Sequence, residues 1–392
     1  MSPISLILVS YSYPPVLGGS EIEAQRVCAA LVKRGHRVQV LCAGAPPMPK
    51  EPRWTDPYGV PVRTFGWGTE APLRDRLFAW GVAWSLWKER RNYQLVYFLM
   101  QGLHLAAGLP VSRLLGKPIV MKISGSNIVT IMRQSFLGRL ELRWLQKWAR
   151  RVMVLNDGMV EEATAAGFRR DHLLWMPNPV DVEEFAPASV LDRKTLRSQA
   201  RIPDSAPVVV YVGRLAPEKE LPSLLGAFAS MVQSVPDALL ILVGDGPDRD
   251  ALTAHAARLG LASRVRFTGR QTIPQVLQWL QAADVFALVS SLEGFPCSLV
   301  EAMSAGLPAV VSDIPANLQL VDAGVHGLHA RMGDEAAIAA ALARLLSDPE
   351  LRARMGEAAR RRVIENYSTE KVVERYESLF HEALTGGGRK LG

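Results

Sequence analysis

Apolar and polar positions fall in blocks along this chain, and the blocks recur in one order: a short apolar run, a loop with glycine or proline, then a segment with helical spacing. The pattern is sharpest over residues 284–311. Residues 284–289 are an apolar run of strand length, 290–296 a loop, and 297–305 a helix with Leu299, Val300 and Met303 on its apolar side. Gly306 stands where a helix-ending glycine belongs, Pro308 follows, and the next strand starts at Ala309.

The first half opens with a strand over 4–9, a loop carrying Pro14, Pro15, Gly18 and Gly19, and a helix over 21–34. Ala24, Val27, Cys28 and Leu31 give that helix an apolar face, and Ser20 with Glu23 reads as a Ser-x-x-Glu capping box. Gly35 ends it and a strand follows at 38–43, which makes a parallel βαβ unit. Gly18, Gly19, Ser20 and Glu21 read equally as a tight turn or as backbone placed to approach a ligand. Residues 46–68 read as loop with one short strand, 95–99, 119–123 and 152–155 as buried strands.

Two helices in this half are unusual. The one at 74–91 carries Leu77, Trp80, Trp84 and Trp87 along one side, with Arg74, Arg76, Lys88, Arg90 and Arg91 at its ends. The one at 138–151 carries Leu140, Trp144 and Trp148 beside a stripe of Arg139, Arg143, Lys147 and Arg150. Two readings stay open: a tryptophan side turned to the core with a solvated basic side, which is the commoner arrangement, or an interfacial helix on an anionic bilayer.

Residues 176–185 and the polar stretch 188–205 read as a linker, and then the pattern restarts. Strands at 208–212, 239–243, 265–267 and 284–289 alternate with helices from 222, up to 259, and over 274–282. From 334 onward the chain is helical in three segments, broken near 348–349 and 367–368; the tail 386–392 reads as disordered. The expected division is a first domain over 1–187, a second over 206–366, and a last helix over 367–385.

Composition narrows the class. With 392 residues, 48% hydrophobic and 21% charged, the chain can bury two cores. A net charge of +7 favours an anionic partner without choosing one. Cys28, Cys42 and Cys297 show no C-x-x-C spacing, which argues against a disulfide framework or zinc site and fits a reducing compartment. The apolar start lacks a basic lead and reads as a buried strand rather than a signal peptide, and no apolar run approaches the roughly 18 residues of a membrane span.

The chemistry gathers on loops at strand carboxyl ends. A helix opening at 297 points free N–H groups at a phosphate; Pro296 has none, so the donors would be Phe295, Cys297 and Ser298. Glu301, one turn in, could bind ribose hydroxyls and Glu293 a sugar, although an isolated glutamate pair at this spacing is more often a loop acid and a solvated helix acid. Arg214 and Lys219, after the first strand of the second half, would neutralise a diphosphate.

These motifs together resemble the retaining glycosyltransferases of family 4, over nearly the whole chain. The specific parts are Gly213-Arg214-Leu215-Ala216-Pro217-Glu218-Lys219, Gly244-Asp245-Gly246-Pro247, and Glu293-Gly294-Phe295-Pro296 with Glu301 as an E-x7-E motif; Gly18-Gly19-Ser20-Glu21 and Pro177-Asn178 with Val180-Asp181 also match. The resemblance implies an α/β GT-B fold: two Rossmann-like, doubly wound domains facing across a cleft, with the C-terminal helix crossing back to the first. It implies a transferase in which Arg214, Lys219 and Glu293 act at the reacting centre. The donor would be held by Gly19, Gly213, Asp245, Gly294, Phe295, Pro296, Cys297, Ser298, Leu299 and Glu301. No metal or other cofactor is implied, and retention would proceed by same-face displacement with the leaving phosphate helping to deprotonate the acceptor.

Three positions depart from the family pattern. Ser124 stands where many members have a histidine near the donor sugar, Pro179 replaces a glycine after Asn178, and Ala316-Asn317-Leu318-Gln319 replaces a segment ending in Pro-Glu. Glu21, Ser124, Asn178 and His104 are therefore the candidates for acceptor or sugar contacts, His104 as a stand-in for the missing histidine. The expected protein is cytoplasmic, with the inner face of the cell membrane as a place of peripheral attachment. It takes a nucleotide diphosphate-sugar donor and a glycan or lipid-linked acceptor, with an anionic membrane as a further surface and no nucleic acid, since no recognition motif organises the basic residues. The alternative is a catalytically silent GT-B subunit that binds a sugar nucleotide or glycan for a partner enzyme.

Overall fold

The computed structural model describes residues 2–16 and 18–386, so the expected disordered tail lies outside the described residues apart from Gly386. The chain divides into two units, Met1–Pro179 with Thr369–Gly392, and Val180–Ser368.

The first unit runs β1 (Ser5–Ser10), α1 (Gly19–Lys33), β2 (Arg37–Ala43), β3 (Arg53–Thr55), β4 (Pro61–Phe65), α2 (Ala71–Lys88), β5 (Leu95–Leu99), α3 (Leu103–Leu114), β6 (Ile119–Lys122), α4 (Ile128–Gln134), α5 (Phe136–Trp148), β7 (Ala149–Val154), α6 (Asp157–Ala165) and β8 (Leu173–Trp175). The strands form one sheet in the order β3-β4-β2-β1-β5-β6-β7-β8, parallel except for the β3–β4 edge pair. β1 and β5 are read so clearly from sequence because helices cover both faces of a parallel sheet, and a strand buried on both sides must be apolar throughout.

The second unit contains α7 (Val190–Gln199), β9 (Val208–Val212), α8 (Leu221–Met231), β10 (Leu239–Val243), α9 (Arg249–Arg258), β11 (Val265–Gly269), α10 (Ile273–Ala282), β12 (Val285–Leu288), α11 (Cys297–Ser304), β13 (Ala309–Ser312), α12 (Pro315–Leu318), β14 (Gly327–Ala330), α13 (Glu335–Ser347) and α14 (Pro349–Asn366). Its sheet is wholly parallel, in the order β11-β10-β9-β12-β13-β14. The last helix, α15 (Thr369–Thr385), belongs to the first unit, with Val372, Val373, Tyr376, Leu379 and Phe380 in its core. Both units are doubly wound and Rossmann-like.

Several expectations need correction. The stretch 188–205 is not linker: Ser189 caps α7, and the buried Arg197 meets Asp284 at 2.9 Å and the carbonyls of Ala282, Asp204 and Ala206. The division falls at 179/180 rather than after 187, because Val180 donates to the Tyr367 carbonyl at 2.9 Å and Arg360 reaches the carbonyls of Val182 and Phe185, tying 180–187 to the second unit. Residues 46–68 hold two strands rather than one, and β7 begins at Ala149 where the helix was expected to continue to 151. The Ser20–Glu23 capping box does not form. α1 starts at Gly19 from an extended Gly18 with no side-chain cap, and Glu23 is buried against Lys122.

Two of the three α2 tryptophans turn outward, and Trp84 is half-buried. Its core side is Phe78, Ala79, Val82 and Leu86, while Trp80 is 66% and Trp87 50% exposed. Lys88 lies 4.5 Å from the Trp84 ring and Arg90 5.3 Å from that of Trp87, so the cations cover aromatic faces rather than a separate polar side. Trp144 and Trp148 of α5 are half-buried and stacked on each other, with ring centroids 5.2 Å apart.

Glu141 of α5 is buried with Oε1 unpartnered, and burial pushes its carboxyl up to about 7, opposed by a hydrogen bond with the Ala106 backbone. The folded chain thus holds a proton that the unfolded chain releases near 4.5, so the site's stabilisation is lost as pH rises through about 7. Glu141→Gln is expected to gain stability over the native chain between those values and keep a constant margin above them. Thermal unfolding from pH 4 to 8 measures this, and a margin independent of pH would contradict it.

Candidate active site

β9 and β12 are neighbours, although β10 and β11 lie between them in sequence. The strand order reverses there, and the loops leaving the two carboxyl ends flank the point where an open α/β sheet leaves a crevice. Those loops carry Arg214 and Lys219 on one side and residues 289–296 on the other. They are joined directly. Ser291 N–H donates to the Glu218 carbonyl at 2.9 Å, Lys219 Nζ lies 2.7 Å from Glu293 Oε1, and Ser290 Oγ donates to the same oxygen at 2.8 Å. Lys219 and Glu293 keep only 16% and 10% of their side chains exposed, so the pair is largely removed from water. Behind it, Asn317 Nδ2 donates to Ser312 Oγ at 3.0 Å, and Ser312 Oγ donates to the Ser290 carbonyl.

The loop after β10 packs onto the loop after β9 through backbone alone. Leu215 N–H donates to the Asp245 carbonyl at 3.0 Å, and Asp248 N–H to the Leu215 carbonyl at 3.1 Å. Gly244 adopts φ +137°, and a Cβ there would lie 1.9 Å from the Gly213 carbonyl oxygen; at Gly246 it would lie 2.1 Å from that of Leu215. These glycines let the two loops touch. The Asp245 carboxylate accepts from Gly246 N–H at 2.9 Å and sits 3.5 Å from Arg249.

Arg214 differs from Lys219. Its side chain is 67% exposed and meets Glu218 at 2.8 Å. An exposed i,i+4 pair of this kind contributes only about 0.3–0.5 kcal/mol, so the guanidinium can leave Glu218 for another anionic partner.

At α11 the expected donors divide. Cys297 N–H bonds to the Phe295 carbonyl at 2.9 Å and Leu299 N–H to the Pro296 carbonyl at 3.0 Å, while among the described residues the Ser298 amide keeps no backbone acceptor. Leu299 is fully buried and its side chain belongs to the core. Glu301 is half-buried one turn in, and the Phe295 ring lies 6.2 Å from that of Tyr367.

In the first unit the sheet reverses between β1 and β5. Gly19 is exposed at the start of α1, and Glu21 accepts from Ser12 Oγ. Ser124, just past β6, is half-buried with its Oγ unpartnered. Asn178 is buried, and its Oδ1 accepts from the buried Lys122 at 2.8 Å. His104 is buried, 5.0 Å from the Phe78 ring, and burial holds its imidazole down near 4. It lines a hollow of about 190 Å³ with Tyr11 and Asp75, where Tyr11 Oη donates to Asp75 Oδ1 at 2.6 Å and Arg74 Nη2 to Tyr11 Oη at 3.2 Å. Sequence reasoning missed Tyr11 and Asp75. The signal was available, since Tyr11 directly follows β1 at the reversal. Among the described residues no group of three or more His, Cys, Asp or Glu side chains is placed to hold a metal ion.

Two doubly wound Rossmann-like units, one with a cation–carboxylate pair and a helix amide end at its strand reversal, make the fold class of the GT-B glycosyltransferases. Residues 192–362 match the family model for glycosyl transferases group 1, and residues 18–179 that for the glycosyl transferase 4-like domain. The chain is 26% identical over 378 residues to N-acetyl-alpha-D-glucosaminyl L-malate synthase of Bacillus anthracis, covering 94% of this chain and 95% of that one. It is 29% identical over 356 residues to 2-deoxystreptamine glucosyltransferase of Streptomyces kanamyceticus, covering 84% and 90%. In structure it is similar to Anabaena HepE in complex with UDP and glucose, with a TM-score of 0.79 at 22% identity over 97% of this chain and 100% of that one. The chain belongs to the group 1 glycosyl transferases, with the 4-like domain as its first half.

Proposed function

We propose that this glycosyltransferase moves a hexose-like sugar from a nucleoside diphosphate-sugar to an acceptor hydroxyl, with retention and without a metal ion. The observation that carries the reading is the Lys219–Glu293 pair beside the α11 amide end at the strand reversal. Lys219 and Arg214 would offset charge as it builds on the departing diphosphate, the task a divalent cation performs elsewhere. Ser298 N–H would hold a phosphate oxygen. Glu301 would accept from ribose hydroxyls. Glu293, oriented by Lys219 and Ser290, would accept from hydroxyls of the donor sugar. The acceptor hydroxyl would attack on the face from which the diphosphate leaves, passing its proton to the leaving phosphate. UDP and glucose in HepE and the glucosyl transfer named for the Streptomyces relative support a sugar nucleotide as donor.

Thermal-shift screening with UDP, GDP, ADP and dTDP tests this. One of them is expected to raise the unfolding midpoint, since a ligand at a hundred times its Kd adds about 2.7 kcal/mol. Glu301→Gln should lose most of that shift and most of the turnover while its unliganded midpoint stays unchanged. No shift with any of the four would sink the reading. Slow release of free sugar from the matching nucleotide sugar separates an enzyme from a silent binding subunit.

The acceptor would enter the first unit at the hollow of Tyr11, Asp75 and His104, where a neutral imidazole and a carboxylate suit a hydroxyl-bearing group. The exposed Trp80 and Trp87 with Lys88 and Arg90 suit an acceptor held at an anionic bilayer, as in cell-surface glycan or glycolipid assembly. Among the described residues no helix is long and apolar enough to cross a membrane, so attachment would be peripheral. Flotation should recover the protein with liposomes containing phosphatidylglycerol and not with pure phosphatidylcholine, and Trp80→Ser/Trp87→Ser should abolish recovery. Equal recovery of variant and native chain would contradict this role for α2.

A further inference from the structure

A second concentration of positive charge in the first unit includes none of the residues assigned to donor or acceptor. It surrounds a hollow of about 410 Å³ in the first unit, at the amino ends of β6 and β7, opposite the sheet edge that carries Tyr11 and His104. Arg113, Lys117, Lys147, Arg150 and Arg151 line it, with His172 beside them and Glu382 as the single carboxylate. That is a net four positive charges around one hollow, against +7 for the whole chain.

Two of the cations are accounted for internally. Arg151 pairs with Glu382, and Lys117 Nζ donates to the Tyr93 carbonyl at 2.6 Å. Arg113 and Lys147 sit in the last turns of α3 and α5, where cations offset the carbonyl ends of helices. A last turn is served as well by a side chain spread over solvent, so this does not explain why both converge on one hollow with Arg150. Among the described residues the side chains of Arg113, Lys147 and Arg150 have no acidic partner or hydrogen-bond acceptor. Unneutralised cations gathered in a concave site with low-dielectric walls raise the local concentration of anions. Arginine and lysine together offer the bidentate and point-charge contacts that phosphate oxygens accept.

We propose that this hollow is an anion site for a phosphate-class group, separate from the donor diphosphate site. The same chemistry is offered by a soluble phosphate or diphosphate and by the phosphate of an anionic lipid headgroup.

Isothermal titration of the full chain with inorganic pyrophosphate tests it, comparing the native protein with Arg113→Ser/Lys147→Ser/Arg150→Ser. All three side chains are exposed, so the variant should keep its unfolding midpoint, which is checked first. The native chain is expected to bind one pyrophosphate more than the variant, and that extra site should weaken at least tenfold between 50 and 500 mM sodium chloride. A pyrophosphate bound at the donor site is common to both proteins and cancels. Cosedimentation with phosphatidylcholine vesicles, with and without phosphatidylglycerol, then separates the sources. Loss of anionic-vesicle binding in the variant identifies a headgroup, and unchanged vesicle binding identifies a soluble phosphate. Coincident pyrophosphate titrations for the two proteins overturn the proposal whatever the vesicles show.

Discussion

Lys219→Ala is expected to lower turnover by roughly 10²–10³-fold, the loss seen when one preorganised group is removed from a developing negative charge, about 2.7–4 kcal/mol of transition-state stabilisation. The geometry makes the effect specific. Lys219 is held by Glu293 at 2.7 Å and by a one-turn helix, Pro217–Lys219, so it would meet the proposed diphosphate without reorganising. Removing it also takes one of the two groups that hold Glu293 Oε1, leaving Ser290 Oγ donating to it, so the proposed sugar-side carboxylate would lose orientation as well. Lys219→Arg should restore part of the rate, because charge rather than shape is what the leaving group needs. Steady-state release of nucleoside diphosphate measures both variants. A near-native rate in Lys219→Ala would remove this residue from the chemistry.

Lys122→Met is expected to destabilise the first unit by about 3–5 kcal/mol, because it strands a buried charge. Lys122 is fully buried and meets Glu23, Asn178 Oδ1 at 2.8 Å and Tyr376 Oη at 3.2 Å; Tyr376 Oη also donates to Glu23 Oε1 at 2.7 Å. Without the lysine, Glu23 stays at 2% exposure with its charge uncompensated and the Tyr376 hydroxyl donating to it. The loss corresponds to a fall on the order of 10 °C in the unfolding midpoint. Since Tyr376 lies on α15, that helix should also become open to protease first. Glu23→Leu/Lys122→Met, which removes both charges, should recover most of the loss. Denaturation followed by circular dichroism checks the series. A single variant within 1 kcal/mol of the native chain would show that the network adds little to stability.

How much was legible in sequence follows from the range of the forces involved. β1, β5, β9 and β10 were read within a residue or two, because a strand covered on both faces carries an unbroken apolar run. α11 was read from Pro296, its apolar side and Gly306, all local signals. α7 was missed because it is mostly polar and is held by Arg197 reaching Asp284, a partner 87 positions away. α3 was missed because Pro110 falls inside it. The Ser20–Glu23 motif misled for a related reason: a local cap lost to a tertiary ion pair, Glu23 with Lys122, 99 positions apart. The outward turn of Trp80 and Trp87 was open in sequence, since an aromatic stripe has the same spacing whichever way it faces.

At the site, residue types and loop positions were legible while partners were not. Arg214, Lys219, Glu293 and Glu301 were named from motif and loop. That Lys219 pairs with Glu293 depends on β9 and β12 becoming neighbours, which a strand order decides and no local spacing reveals. Cys297 N–H was expected to serve a ligand and instead closes a turn onto Phe295, a detail of backbone geometry.

A crystal structure with the nucleoside diphosphate chosen by thermal shift tests the central claim most directly. The account predicts phosphate oxygens about 3 Å from Lys219 Nζ, the Arg214 guanidinium and Ser298 N–H. Phosphates bound anywhere else on the second unit, with Lys219 still committed only to Glu293, would contradict it.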